Sequence, residues 1–85
     1  MIIIYHRNFE KNYKKLSSKG KNELKERLVL FAKDEFNPIL NNHALKGKYL
    51  GYRSINISGD LRALYKTEGN RIIFISINSH SNLYG

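Results

Sequence analysis

The chain has 85 residues, enough for one hydrophobic core and too few for two, or for a cofactor-binding domain beside a catalytic one. Its composition is 41% hydrophobic and 26% charged, with one proline and no cysteine, which argues against disorder and excludes a disulfide framework and thiolate metal sites. Fifteen Lys and Arg against seven Asp and Glu leave a formal charge of +8, spread evenly over the two halves, so the expected partners are polyanions or an acidic protein and no basic tail acts as a detachable arm.

Residues 1–5, Met-Ile-Ile-Ile-Tyr, read as a buried strand, because β-branched residues favour extended backbone and the run is too short for a helix. It is also far shorter than the apolar region of a signal peptide or a membrane span, so export and membrane insertion are unsupported and a reducing cytoplasm is the expected location. From Arg7 to Leu16, the spacing of Phe9, Tyr13 and Leu16 predicts an amphipathic helix with its lysines elsewhere on the wheel. Residues 17–20, Ser-Ser-Lys-Gly, break it. A second helix over 21–34 carries Leu24, Leu28, Phe31 and Ala32 as its apolar stripe. The short break predicts a two-helix hairpin.

Pro38 ends the second helix, since it lacks an amide hydrogen and disfavours helical geometry at Asn37. A loop with His43 follows. Residues 52–58 alternate as a half-buried strand, with Arg53, Ile55 and Ile57 on one face and Tyr52, Ser54 and Asn56 on the other. Turns at 58–60 and 68–70 then separate strands over 61–66 and 71–79. On the last strand Ile73, Ile75 and Ile77 share the predicted core face, and Ser76, Asn78 and His80 the opposite one. The chain is therefore expected to be a single α+β domain over 1–85: an N-terminal strand, a helical hairpin, and a three-stranded antiparallel meander packed on the helices. One sheet face is core; the other is open to a ligand.

In order along the chain stand His43-Ala-Leu-Lys46-Gly-Lys48, Gly51-Tyr-Arg53, Gly59-Asp60-Leu-Arg62 with Ala-Leu-Tyr65-Lys, and Ser79-His80-Ser-Asn-Leu-Tyr84-Gly. This series resembles the YafQ-type branch of the RelE/ParE toxin superfamily, and the element order resembles the RelE fold. The specific signal lies in 43–85; residues 6–35 match in pattern only. The resemblance implies a toxin of a type II toxin–antitoxin pair, a ribosome-dependent, metal-independent endoribonuclease that cuts messenger RNA. The ribose 2′-OH would attack the adjacent phosphate to leave a 2′,3′-cyclic phosphate and a 5′-OH, which needs a base, an acid and cations for the charge on phosphorus.

Carried over residue by residue, the resemblance makes His80 the candidate general acid and His43 the candidate base or phosphate contact, imidazole being suited to proton transfer near neutral pH. It makes Asp60 a group that orients a catalytic histidine. Arg53 and Arg62 are candidate phosphate ligands through their guanidinium planes. Tyr84 is a candidate base-stacking residue, and Lys46 and Lys48 lie in the RNA-binding motif. In one departure, relatives carry a second His where this chain has Asn56, and often Asp where it has Ser54. Asn56 can orient phosphate or water but cannot carry protons near neutral pH. A gyrase inhibitor of ParE type and a catalytically weak RNA- or antitoxin-binding module remain alternatives. His6 matches no family position and reads as a surface residue. Three scattered histidines without cysteine have no metal-ligand spacing, so no cofactor is expected. The expected partners are an antitoxin, with which a hetero-oligomer is possible, and the ribosome with its mRNA.

Overall fold

In the computed structural model, which describes residues 1–79, the chain runs β1 (Ile2–Tyr5), α1 (Arg7–Lys14), α2 (Ser18–Lys33), a 3-10 turn (Pro38–Leu40), β2 (His43–Ala44), a second 3-10 turn (Gly47–Tyr49), β3 (Arg53–Asn56), β4 (Leu61–Glu68) and β5 (Arg71–Ser79). The strands form one five-stranded sheet in the order β1-β5-β4-β3-β2. The expected meander is present as β3-β4-β5, with antiparallel pairing throughout. Two strands extend it: β2 pairs antiparallel with β3, and β1 pairs parallel with β5, Ile2 opposite Arg71 and Tyr5 opposite Phe74.

β1 is thus an edge strand rather than a buried one. Met1 and Ile2 are 62% and 51% exposed, whereas Ile3 packs against the core. The break between the helices is shorter than expected, because Ser17 caps α2 by accepting a hydrogen bond from the Gly20 amide (3.1 Å). His6 caps α1, its Nδ1 accepting from the Asn8 amide (3.0 Å). On α2, Leu24 and Phe31 are buried as expected and Leu28 partly so, but Ala32 is exposed.

Both helices cover one sheet face, where Phe9, Leu24 and Phe31 meet Ile55, Ile57, Ala63, Tyr65, Ile72, Phe74 and Ile77. Phe74 is the centre of this core. Its ring lies 5.2 Å from Phe31, 5.4 Å from Tyr65, 5.6 Å from Phe9 and 5.9 Å from Tyr5.

The face assignment on β5 changes halfway along. Tyr65 pairs with Phe74, yet Leu64 pairs with Ser76, so Ile75 is an extra residue in a β-bulge. Before the bulge Ile72 and Phe74 point into the core; after it Ile77 does. Strict alternation had placed Ile73 and Ile75 there, and the bulge is the reason it fails for them. β1 stops opposite Phe74, and α1 takes over the edge. Asn12 Oδ1 accepts from the Ile77 amide (2.9 Å), and Asn8 Nδ2 donates to the Ile75 carbonyl (3.3 Å).

Candidate functional site

The sheet face away from the helices carries two cross-strand rows of side chains. One runs His43, Ser54, Leu64, Ser76; the next runs Asn56, Arg62, Asn78. Adjacent rows are two residues apart along each strand, roughly 7 Å. Pairing therefore brings His43, Asn56 and Arg62 onto one surface from β2, β3 and β4. His80 and Tyr84 lie outside the described residues.

This face is less open than the alternation implied. Ser54 is 0% exposed, Leu64 2% and Arg62 8%, while His43, Asn56, Ser76 and Asn78 are half-buried. Among these groups, Ser54 Oγ and Asn56 Oδ1 are buried without a hydrogen-bond partner. Buried polar atoms are ordinarily satisfied, and leaving one unsatisfied costs about 1–3 kcal/mol. Ser76 Oγ, by contrast, donates to Asn78 Oδ1 (2.6 Å).

Arg62 is folded back toward the β3–β4 turn, its Nη1 donating to the carbonyls of Ser58 (2.8 Å) and Leu61 (3.0 Å) and, at 3.4 Å, to that of Gly59. Asp60 sits in the same turn, exposed. At the other end of β3, Lys46 and Lys48 stand exposed around the second 3-10 turn, with Lys48 Nζ 5.3 Å from the centre of the Tyr49 ring. The two groups of candidate residues thus flank the strand that carries Ser54 and Asn56.

Arg53 does not join them. It pairs across the sheet with Tyr65 and points to the helix side, where its Nε donates to Asn42 Oδ1 (2.8 Å) and its guanidinium carbon lies 5.3 Å from the Phe36 ring centre. The β-strand period decides this: residue 53 shares parity with Ile55 and Ile57, so it cannot share a face with Asn56. Asn42 and Tyr65 carried no expectation from sequence, yet they complete the polar group around Arg53. Asn42 Nδ2 donates to the Tyr65 hydroxyl (2.7 Å) and to the Glu35 carbonyl (3.0 Å), and Tyr65 donates to Glu35 Oε2 (2.7 Å). The available signal was the pair Asn41-Asn42 directly before His43, since Asn tolerates the left-handed backbone and pins loops with its amide.

His43 Nδ1 lies 2.8 Å from the Asn41 carbonyl oxygen. A carbonyl only accepts, so Nδ1 carries the proton and, in the neutral ring, Nε2 holds the lone pair. That is the tautomer a general base acting through Nε2 requires. Among the described residues, no three His, Asp or Glu side chains group to hold a metal ion, and no helix is long and apolar enough to cross a membrane.

This architecture is that of the small RelE-like toxins. YafQ from Escherichia coli strain BL21(DE3) superposes with a TM-score of 0.80 at 23% identity, over 98% of this chain and 97% of that one. A copper-bound mutant toxin from Helicobacter pylori is 26% identical with a TM-score of 0.71, covering 99% of both chains. YafQ in the Escherichia coli DinJ–YafQ toxin–antitoxin complex gives 0.77 at 24% identity, over 98% of this chain and 96% of that one. No curated protein matches the sequence. The family described as the YafQ bacterial toxin of type II toxin–antitoxin systems matches residues 1–85, and this chain belongs to it.

Proposed function

We propose that this toxin is a ribosome-dependent mRNA endoribonuclease that needs no metal ion. His43 removes the proton from the ribose 2′-OH, His80 protonates the departing 5′-oxygen, and Asp60 orients the catalytic histidine. Arg62 and the Asn56 amide hold the phosphate, Lys46 and Lys48 bind the flanking backbone, and Tyr84 stacks on a base. The products are a 2′,3′-cyclic phosphate and a 5′-OH. The observation that carries this reading is the unpartnered pair Ser54 Oγ and Asn56 Oδ1 between His43 and Arg62. A face that exists only to stabilise the fold would satisfy these atoms; once the side chains turn outward, Ser54 Oγ can donate to a phosphate oxygen and Asn56 Oδ1 can accept from a ribose hydroxyl. Arg53, held on the helix side, is left out of the RNA contacts.

Restraint by an antitoxin belongs to the same reading. A groove of about 440 Å³, lined by Tyr5, Phe9, Tyr13, Leu24 and Leu28 with Glu10 and Lys25 beside them, suits the apolar face of such a partner on the helix side. A basic toxin suits an acidic one. The deciding experiment is primer extension on an mRNA in a purified translation system, comparing wild type with His43→Ala and His80→Ala. Ribosome-dependent cuts that vanish in both variants are expected. An intact message with wild-type protein would sink the nuclease reading, leave Asn56 as the sign of lost catalysis, and point to binding or gyrase inhibition instead.

A further inference from the structure

The segment between α2 and β3 is tied down far more heavily than a surface loop needs. Asn42, half-buried, makes three side-chain hydrogen bonds at 2.7–3.0 Å: from Arg53, to the Tyr65 hydroxyl and to the Glu35 carbonyl. Tyr65 in turn is fully buried, with its ring against Phe31 at 5.0 Å and its hydroxyl donated to Glu35. This network lies on the helix side of the sheet, whereas His43, one residue on, pairs with Ser54 on the other side.

Between the two sits the peptide joining Asn41 to Asn42. Asn41 has φ 45 and ψ 49, and among the described residues it is the one non-glycine with positive φ. That conformation is costly for an L-residue, if least so for Asn. Its amide caps the first 3-10 turn by donating to the Pro38 carbonyl (3.1 Å), and its carbonyl meets His43 Nδ1. The left-handed turn aims that carbonyl, and the anchored Asn42 side chain prevents the peptide from rotating away.

We propose that Asn42 and Tyr65 are positioning residues for His43: acting from the far side of the sheet, they hold the Asn41 carbonyl against Nδ1 and so fix the tautomer and the ring orientation. Their part in catalysis rests on the reading of His43 as the base; their effect on the ring does not. Histidines that work through Nε2 need such a partner on the other nitrogen, because a ring free to exchange tautomers presents a donor to the substrate part of the time. Small misplacements of a reacting group are expensive in rate.

The test uses two variants. Tyr65→Phe keeps the ring in the core and removes only the hydroxyl; Asn42→Ala removes the three hydrogen bonds from a half-buried loop position. Long-range proton–nitrogen NMR correlation, at a pH where the ring is neutral, reads which nitrogen of His43 is protonated without any need for activity. Wild type is expected to show the proton on Nδ1, and both variants a mixture with Nε2. Cleavage by either should fall about tenfold in kcat, with KM for programmed ribosomes within about twofold. A wild-type ring protonated on Nε2 would overturn the proposal, as would folded variants that keep the Nδ1 tautomer unchanged. If wild type leaves mRNA intact, the nuclease reading fails while the NMR result still decides the positioning role.

Discussion

Tyr65 joins the core to the polar network, and its ionisation shows how much that junction contributes. Burial, reinforced by the Glu35 carboxylate that accepts its proton, pushes the phenol from 10.0 up to about 12, against the lowering effect of the Asn42 hydrogen bond. In the unfolded chain the same phenol ionises near its ordinary value. The stability it contributes is therefore whole below about pH 10 and is lost as pH rises toward about 12, a decline of about 2 kcal/mol. Urea unfolding midpoints measured from about pH 9 to about pH 12 check this. Tyr65→Phe should flatten the decline, leaving the share of Tyr5, whose phenol burial also raises. At this scale the sequence was a partial guide. Strand parity alone placed Asn56 on the face away from the helices; His43 was read as a loop residue and Arg62 was given no face, and both joined Asn56 only through the pairing of β2, β3 and β4. Arg53 was legible as an RNA ligand only by resemblance, and parity already placed it on the wrong face.

At the scale of elements, the bulge at Ile75 and the end of β1 solve one problem together. Beyond Phe74 the edge of β5 has no strand beside it, and a buried amide at Ile77 needs an acceptor. Asn12 supplies it from α1. Asn12→Ala is expected to cost about 1–2 kcal/mol, because it removes the acceptor and leaves the donor buried. Native-state hydrogen exchange should show it most at Ile77, with the β4–β5 amides near Tyr65 and Phe74 less affected; uniform acceleration across the sheet would contradict a local role for Asn12. The helices and the β3-β4-β5 meander were readable because their signals are local, apolar period and turn residues; Pro38 was not the stop expected of it, since α2 ends at Lys33 and Pro38 opens the first 3-10 turn. β2, two residues long, and the bulge were not. Each is set by the register of a neighbouring strand, and a single sequence does not display register.

At the scale of the molecule, the charge has little counterpart among the described residues. The +8 balance leaves few internal partners: among the described residues one ion pair, Lys66 with Glu68 at 3.2 Å, is present, and its side chains are largely solvated. Most of the remaining Lys and Arg side chains are exposed, so their role is directed outward. Affinity for a short single-stranded RNA should then fall at least tenfold between about 50 and about 200 mM salt, a loss that fluorescence anisotropy would measure. Salt-independent binding would show that neutral contacts dominate.

The parallel pairing of β1 with β5 also sets the order in which the molecule can be assembled. The first strand acquires its partner only when residues 71–74 exist, and α1 rests chiefly on β5. A nascent chain halted in the β4–β5 turn holds both helices and most of the aromatic core residues, but it lacks Phe74, the ring around which they pack. Such contacts between distant parts of a chain form late and slowly. Folding of this toxin accordingly waits for residues 71–74, and a chain halted before them lacks both the partner of its first strand and the centre of its aromatic core.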